Sequence, residues 1–114
     1  MIKNIDFVST SEITLYERID TDDSEAMILT VYFLNYSGSS VNLTIYLKEV
    51  GNATADDDNA ILKDEPIAAG KTYELNASEK IMLKGHTAAA SRNKLSAKVD
   101  TADAMTATVS YTDL

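Results

Sequence analysis

The chain has 114 residues and a mass of 12.4 kDa, a length that predicts one compact domain spanning residues 1–114. Hydrophobic residues make up 45% and charged residues 25%, a composition typical of a globular domain and too apolar for a disordered chain. The absence of cysteine excludes a disulfide framework, a thiol nucleophile and a cysteine-ligated metal centre. No apolar stretch approaches the roughly 18 residues of a membrane span, so no membrane partner is expected.

The charge of the chain is unevenly distributed. Ten basic residues against eighteen acidic ones give a net charge of −8 and a pI near 4.4. A nucleic-acid binder needs a basic surface to replace phosphate counterions, so the overall charge argues against nucleic-acid partners. Only residues 71–98 are basic, with six Lys and Arg against two Glu. This segment on an acidic body suits head-to-tail contact between copies, although a mixed solvated surface is the simpler interpretation.

The N-terminal part of the chain predicts one or two strands. Residues 13–16 alternate between apolar and polar positions, and a period of two indicates a strand. Ile5 and Phe7 either extend this strand or form another, and residues 1–11 are alternatively an N-terminal arm. The first residues do not resemble a secretory signal, which needs a basic stretch followed by an apolar one.

The strongest alternation lies between residues 26 and 48. Residues 26–36 (AMILTVYFLNY) are apolar on both faces, which favours a central strand over an edge strand. Residues 36–40 (YSGSS) are rich in the small residues of turns. Residues 41–48 (VNLTIYLK) alternate strictly and predict a half-buried strand. Together these segments predict a β-hairpin.

Short strands and turns recur through the rest of the chain at intervals of about ten residues. The strands are predicted at residues 59–64, 72–75, 80–84, 95–99 and 105–111. Residues 87–94 (TAAASRNK) form the one segment with helical character, and a loop with one helical turn is an equal alternative because eight residues make a marginal helix. About eight short strands predict an all-β antiparallel sandwich of jelly-roll type.

The residues offer little support for catalysis. His86 is the single histidine and follows Gly85 in a predicted turn, with no nucleophilic serine pattern beside it. Asp56–Asp58 and the acidic stretch at 20–25 carry oxygen ligands of the kind calcium prefers, but they lack the spacing of an EF-hand, so solvated loops are the better interpretation. We expect no enzyme activity, no cofactor and no metal site.

The tyrosines are the best candidates for contact with a partner. Tyr32, Tyr36 and Tyr46 fall on the faces opposite the cleanest apolar stripes of the predicted hairpin. If that hairpin has one outward face, these amphipathic rings are natural contact residues. The alternative is that both faces are covered within the monomer.

The order of these segments resembles a family of small β-sandwich structural proteins of tailed-bacteriophage virions. The resemblance covers about residues 26–112 and is carried by the segments YFLNYSGSSVNLTIYL (Tyr32 to Leu47), GNATADDDNAIL (Gly51 to Leu62), PIAAGKTYEL (Pro66 to Leu75), IMLKG (Ile81 to Gly85) and DTADAMTATVSY (Asp100 to Tyr111). The chain departs from the family between Gly85 and Leu95, where such proteins pass directly into the next strand.

The resemblance implies a non-enzymatic virion protein, made in the host cytoplasm, that acts as a capsid decoration or cement protein. Its partners would be copies of itself and other virion proteins, above all the major capsid protein, with the chain working as a homo-oligomer. A neck or tail accessory protein and a carbohydrate-binding or adhesion module are the alternatives.

We expect the partner to be touched by the tyrosine face and by the segment 86–94. His86, Arg92 and Lys94 lie in that segment, which adds positive charge to an acidic protein and would steer docking. The alternative is that this segment caps one end of the sandwich and the Asp56–Asp58 loop makes the contact.

Overall fold

The computed structural model describes residues 1–17, 25–48, 59–75, 81–84 and 94–113. The secondary-structure elements in these ranges are all β-strands. The strands are Ile2–Asp6 (β1), Ile13–Glu17 (β2), Glu25–Asn35 (β3), Val41–Lys48 (β4), Ala60–Ile67 (β5), Thr72–Leu75 (β6), Ile81–Lys84 (β7), Lys94–Val99 (β8) and Met105–Asp113 (β9).

The strands form two antiparallel sheets around one core. The first sheet has the order β1-β9-β3-β6, with β7 pairing the other half of β3, and the second has the order β2-β8-β4-β5. The first strand therefore pairs with the last, β2 with β8, β3 with β6, and β4 with β5. This nested pairing is that of a long antiparallel ribbon rolled up on itself, the jelly-roll arrangement. The predicted all-β, jelly-roll-like sandwich is confirmed.

The predicted hairpin of residues 26–36 and 41–48 is wrong, although both of its strands are present. β3 lies in the first sheet between β9 and β6, whereas β4 lies in the second sheet between β8 and β5. The segment at residues 36–40 therefore carries the chain from one sheet to the other. Alternation determines which face of a strand is buried but not which strand lies beside it, so two such strands can face each other across a core instead of pairing.

The core lies between the sheets and is built from alternate residues of the central strands. Its fully buried side chains include Leu15, Val31, Phe33, Leu43, Ile45, Leu95, Met105 and Val109. Tyr16 of the second sheet packs on Tyr111 of the first, with ring centroids 4.5 Å apart. The register of β3 against β9 shifts between Ile28 and Thr30, and Ile28 is buried in the core. A bulge there lets a strand that is apolar on both sides keep a continuous buried face.

The N-terminal residues are part of the first sheet. β1 pairs with β9 from Ile2 opposite Ser110 to Asp6 opposite Thr106. Phe7 follows directly and is buried, with its ring centroid 6.3 Å from that of Phe33. Of residues 1–11, the first seven are thus held by the strand ladder and by the core.

Asn35 holds the crossover between the two sheets in place. Its side chain is fully buried, and its Nδ2 donates to the carbonyl oxygens of Ser39 (2.7 Å) and Ile67 (2.9 Å). Its Oδ1 accepts from the backbone N–H (3.0 Å) and the hydroxyl (2.7 Å) of Ser37. One amide therefore ties the end of β3 to the crossover segment and to the end of β5 in the other sheet.

We expect Asn35→Ala to lower the free energy of unfolding by about 2–3 kcal/mol, because it removes a fully buried amide and leaves the buried Ile67 carbonyl oxygen without this donor. Ser37→Ala, which removes a side chain from the same segment while leaving the Asn35 Nδ2 bonds intact, is the matched control and should cost less than about 1 kcal/mol. Urea denaturation of both variants measures the difference. Equal losses would contradict this role for Asn35.

Candidate functional site

The outer face of the first sheet, which points away from the core, is the most regular exposed surface among the described residues. Two rows of side chains cross four of its five strands, β1, β9, β3 and β6, at right angles. One row is Asp6, Thr106, Leu34 and Thr72, and the other is Asn4, Thr108, Tyr32 and Glu74. Most of these side chains are hydroxyls or amides, so the face is neutral at its centre and acidic at its two margins.

Apolar and aromatic side chains stand out from this face along β3 and just beyond it. Tyr32 is 45% exposed, Leu34 37% and Tyr36 52%. Exposed aromatic and aliphatic residues on a polar sheet face are typical of contact surfaces. We call Tyr32, Leu34 and Tyr36 the β3 contact stripe.

Tyr46 does not belong to this surface, which corrects the predicted face of three tyrosines. It lies on β4 in the second sheet and is only 4% exposed. The physical reason is the crossover after β3, which separates Tyr46 from Tyr32 and Tyr36. Two other outward residues of β4, Thr44 and Lys48, are buried as well, whereas Lys98 on the neighbouring β8 is exposed.

The predicted contact segment 86–94 lies almost wholly outside the described residues, as do the Asp56–Asp58 loop and His86 and Arg92. Lys94 is described and is half-buried at the start of β8. It stands opposite Glu17 on one side and Lys48 on the other. Its surroundings therefore include both signs of charge.

A buried ion pair lies on the second sheet, on the side away from the core. The Lys48 side chain is fully buried, and its Nζ lies 2.6 Å from Oε2 of Glu12. The same carboxylate oxygen accepts a hydrogen bond from the hydroxyl of Ser96. Removing one member of such a pair leaves an uncompensated charge away from water, which is strongly destabilising.

Opposing effects set the pKa of Glu12. Burial raises it, whereas the hydrogen bonds from Lys48 and Ser96 and the positive charges of Lys48 and Lys94 lower it, and the net result is a pKa below the ordinary value of 4.5. The sequence did not predict this site. Its one signal is Lys48, which occupies an outward position at the end of a strictly alternating strand, and nothing in sequence spacing links it to Glu12.

A polar cleft of about 240 Å³ opens on the second sheet beside β4 and β8. Its polar lining residues are Thr10, Asn42, Thr44, Asp64, Lys98 and Asp100. The hydroxyl of Thr44 accepts from the Asp64 N–H at 3.0 Å, and the Asp100 carboxylate accepts from the Asn42 N–H at 2.9 Å. Lys98 Nζ lies 6.0 Å from the centre of the Tyr46 ring. The cleft thus combines acceptors, donors and one ammonium group.

No cluster of metal ligands is found in the described part of the chain. No three carboxylate or histidine side chains among those residues come together as metal ligands. Within the same ranges, no helix is long and apolar enough to cross a membrane. The surfaces that stand out are the β3 contact stripe and the polar cleft.

Neither a protein-family model nor a curated protein sequence matches this chain. Among solved structures, it is similar to a chain in the structure of infectious bursal disease virus, Gx strain, with a TM-score of 0.41 and 15% identity over 97% of this chain and 30% of that one. For the Gt strain the TM-score is 0.31, with 11% identity over 96% of this chain and 31% of that one. The chain spans less than a third of those viral chains, and similarity at this level supports no conclusion about function.

We expect Glu12 to make the protein sensitive to acid. Because its pKa is lower in the folded than in the unfolded state, the unfolded state takes up the proton first as the pH falls below about 4.5. The stabilisation contributed by the carboxylate is present above that pH and is lost as the pH falls through the folded pKa. Urea denaturation between pH 3 and 7 should therefore show a steeper acid loss in the unchanged protein than in Glu12→Gln.

The matched control is Glu17→Gln, which removes one exposed carboxylate from the C-terminal end of β2, the strand that follows Glu12. It should follow the pH profile of the unchanged protein. At pH 7, Glu12→Gln should cost about 3 kcal/mol because Lys48 then keeps its charge without this carboxylate. Parallel pH profiles for Glu12→Gln and the unchanged protein would contradict this account.

Proposed function

We propose that this chain is a non-enzymatic structural protein of a phage virion that binds the outside of the capsid as a decoration or cement protein. The observation that carries the proposal is the β3 contact stripe on a jelly-roll sandwich, a fold that recurs in viral capsid domains. The resemblance of residues 26–112 to small virion proteins supports the same role. A neck or tail accessory position in the particle is the second choice.

The contact would be made by apolar burial and steered by charge. Tyr32 and Tyr36 present rigid rings with polar tips, and Leu34 lies between them in sequence. Burying such side chains fully contributes about 1.5–3 kcal/mol each. Asp6 and Glu74 lie at the margins of the outer face, so the facing surface of the major capsid protein should be neutral or basic there. The segment 86–94, with Arg92 and Lys94, is proposed as a second contact.

Leu34→Asp should weaken attachment to the particle at least tenfold, because it places a charge in the middle of the buried contact. Ile61→Asp is the matched control, since Ile61 is 46% exposed but lies on β5 in the other sheet. The assay is co-sedimentation of each purified variant with particles stripped of this protein. Cryo-electron microscopy of the intact particle then locates the chain.

Equal attachment of Leu34→Asp and unchanged protein would rule out the β3 contact stripe as the binding surface. Absence of the chain from purified particles would rule out the virion role itself.

A carbohydrate-binding or adhesion module is the second candidate function, and the polar cleft is the observation that favours it. Its volume of about 240 Å³ accommodates one sugar ring, and its Asp, Asn and Thr side chains match the alternating donors and acceptors of sugar hydroxyls. The jelly roll is also a lectin fold.

Lys98→Gln tests this function, because Lys98 lines the cleft and its side chain is exposed. If the cleft binds sugars, nuclear magnetic resonance titration with a panel of monosaccharides should shift the signals of residues 98–100, and the variant should reduce that binding at least threefold. Lys3→Gln, an exposed lysine of β1, is the control. Unchanged spectra at millimolar sugar would exclude this function.

A further inference from the structure

The edges of the two sheets differ in how well they are protected against pairing with another strand. β5 ends the second sheet and carries two register irregularities, Pro66, and Asp64 in the left-handed region with a φ of 48°. β2 ends the same sheet on the other side and is interrupted between Thr14 and Tyr16. Bulges, proline and charge are the devices by which sheets block edge-to-edge association. β1, which ends the first sheet, carries the charged Lys3 and Asp6 but has no proline and no shift in its register.

The hydrogen bonds between β1 and β9 show which backbone groups remain for a partner. Phe7 N–H donates to the Met105 carbonyl at 3.0 Å, and Tyr111 N–H donates to the Met1 carbonyl at 2.9 Å. In an antiparallel ladder the bonded residues alternate, so the odd-numbered residues of β1 face β9. The N–H and C=O groups of the three even-numbered residues, Ile2, Asn4 and Asp6, therefore point to the open edge.

This edge is accessible to another chain. Ile2 is 72% exposed, and Asn4 and Asp6 are exposed as well. None of the hydrogen bonds found among the described residues uses the outward N–H or C=O of Ile2, Asn4 or Asp6. Three donors and three acceptors are thus aligned along one regular strand.

We propose that β1 pairs with β1 of a second copy of this chain, antiparallel, with Asn4 opposite Asn4 and Ile2 opposite Asp6. The register follows from two requirements. Opposite residues of an antiparallel pair point to the same face, so the two sheets continue into each other only when even positions oppose even positions. The even residues must also form the hydrogen-bonded pairs, and centring the pairing on Asn4 uses all three in each copy.

The pairing is self-complementary in length and charge. β1 extends from Ile2 to Asp6, and a centre at Asn4 matches this strand against the same strand of the second copy. No like charges stand directly opposite, because Asp6 faces Ile2 and Lys3 faces Ile5. This self-match favours a second copy over an unrelated strand. The inference is independent of the virion role, since it depends only on the edge of the first sheet.

Asn4→Pro is the deciding variant. Proline removes the N–H at the centre of the proposed pair, but this N–H is not used in the ladder with β9, so the monomer should keep its fold. Asn4→Ala is the matched control: both variants lose the exposed bond from the Thr108 hydroxyl to Asn4 Oδ1, and only the proline loses the N–H. The measurement is sedimentation equilibrium of the full chain with no added N-terminal residues.

We expect the unchanged protein and Asn4→Ala to dimerise at roughly 100 µM, and Asn4→Pro to raise the dimer Kd at least tenfold. Circular dichroism and thermal unfolding of Asn4→Pro at low concentration show that its fold is retained. Hydrogen exchange gives an independent measurement: the amides of Ile2, Asn4 and Asp6 should gain protection with rising concentration, while those of Lys3 and Ile5 are protected throughout. A monomeric unchanged protein at that concentration, or an equal dimer Kd for the two variants, would overturn the proposal.

Discussion

The structure depends on one constraint. Each sheet has a single apolar face, and the apolar faces of the two sheets must pack against each other to leave water. Val31 and Phe33 from the first sheet and Leu43 and Ile45 from the second are fully buried where the sheets meet. Because strand side chains alternate, this burial also decides what points outward. The exposure of the β3 contact stripe is therefore a consequence of core packing, and any change that slips the register of β3 would turn core residues toward solvent.

The sequence predicts the strands well and their neighbours poorly. The alternation at residues 41–48 and 105–111 identifies β4 and β9, and the two-faced segment at 26–36 identifies the interior strand β3. The pairing of β3 with β4 fails, because a period of two carries no information about the adjacent strand. The crossover after β3 is held in place by Asn35. The side-chain amide of Asn35 forms hydrogen bonds with residues up to 32 positions away. Hydrogen bonds between a buried polar group and residues far away in the chain leave no local pattern in the sequence.

The residues of the candidate sites were also only partly predictable from the sequence. Alternation places Tyr32 outward and also places Tyr46 outward, and only the first is exposed. The difference is that the outward residues Thr44, Tyr46 and Lys48 of β4 are all buried, so an outward position on that strand is not a solvent position. Lys48 is the clearest case, since its side chain is fully buried against Glu12, a residue distant in sequence that lies just before β2. A charged residue at an outward position of a strand is expected to be exposed only when that face of the sheet is open to solvent.

The open edge at β1 and the outer face of the first sheet reinforce each other. A twofold axis that joins two β1 strands lies perpendicular to the sheet, so both copies present their outer faces in the same direction. In the proposed dimer the paired sheets would form one continuous surface carrying two β3 contact stripes. Two stripes fixed on one rigid body would bind a repetitive partner surface with a high effective concentration for the second contact. A contact too weak to hold one small chain would in this way hold a pair, which would give the open edge a use despite the risk of unwanted pairing.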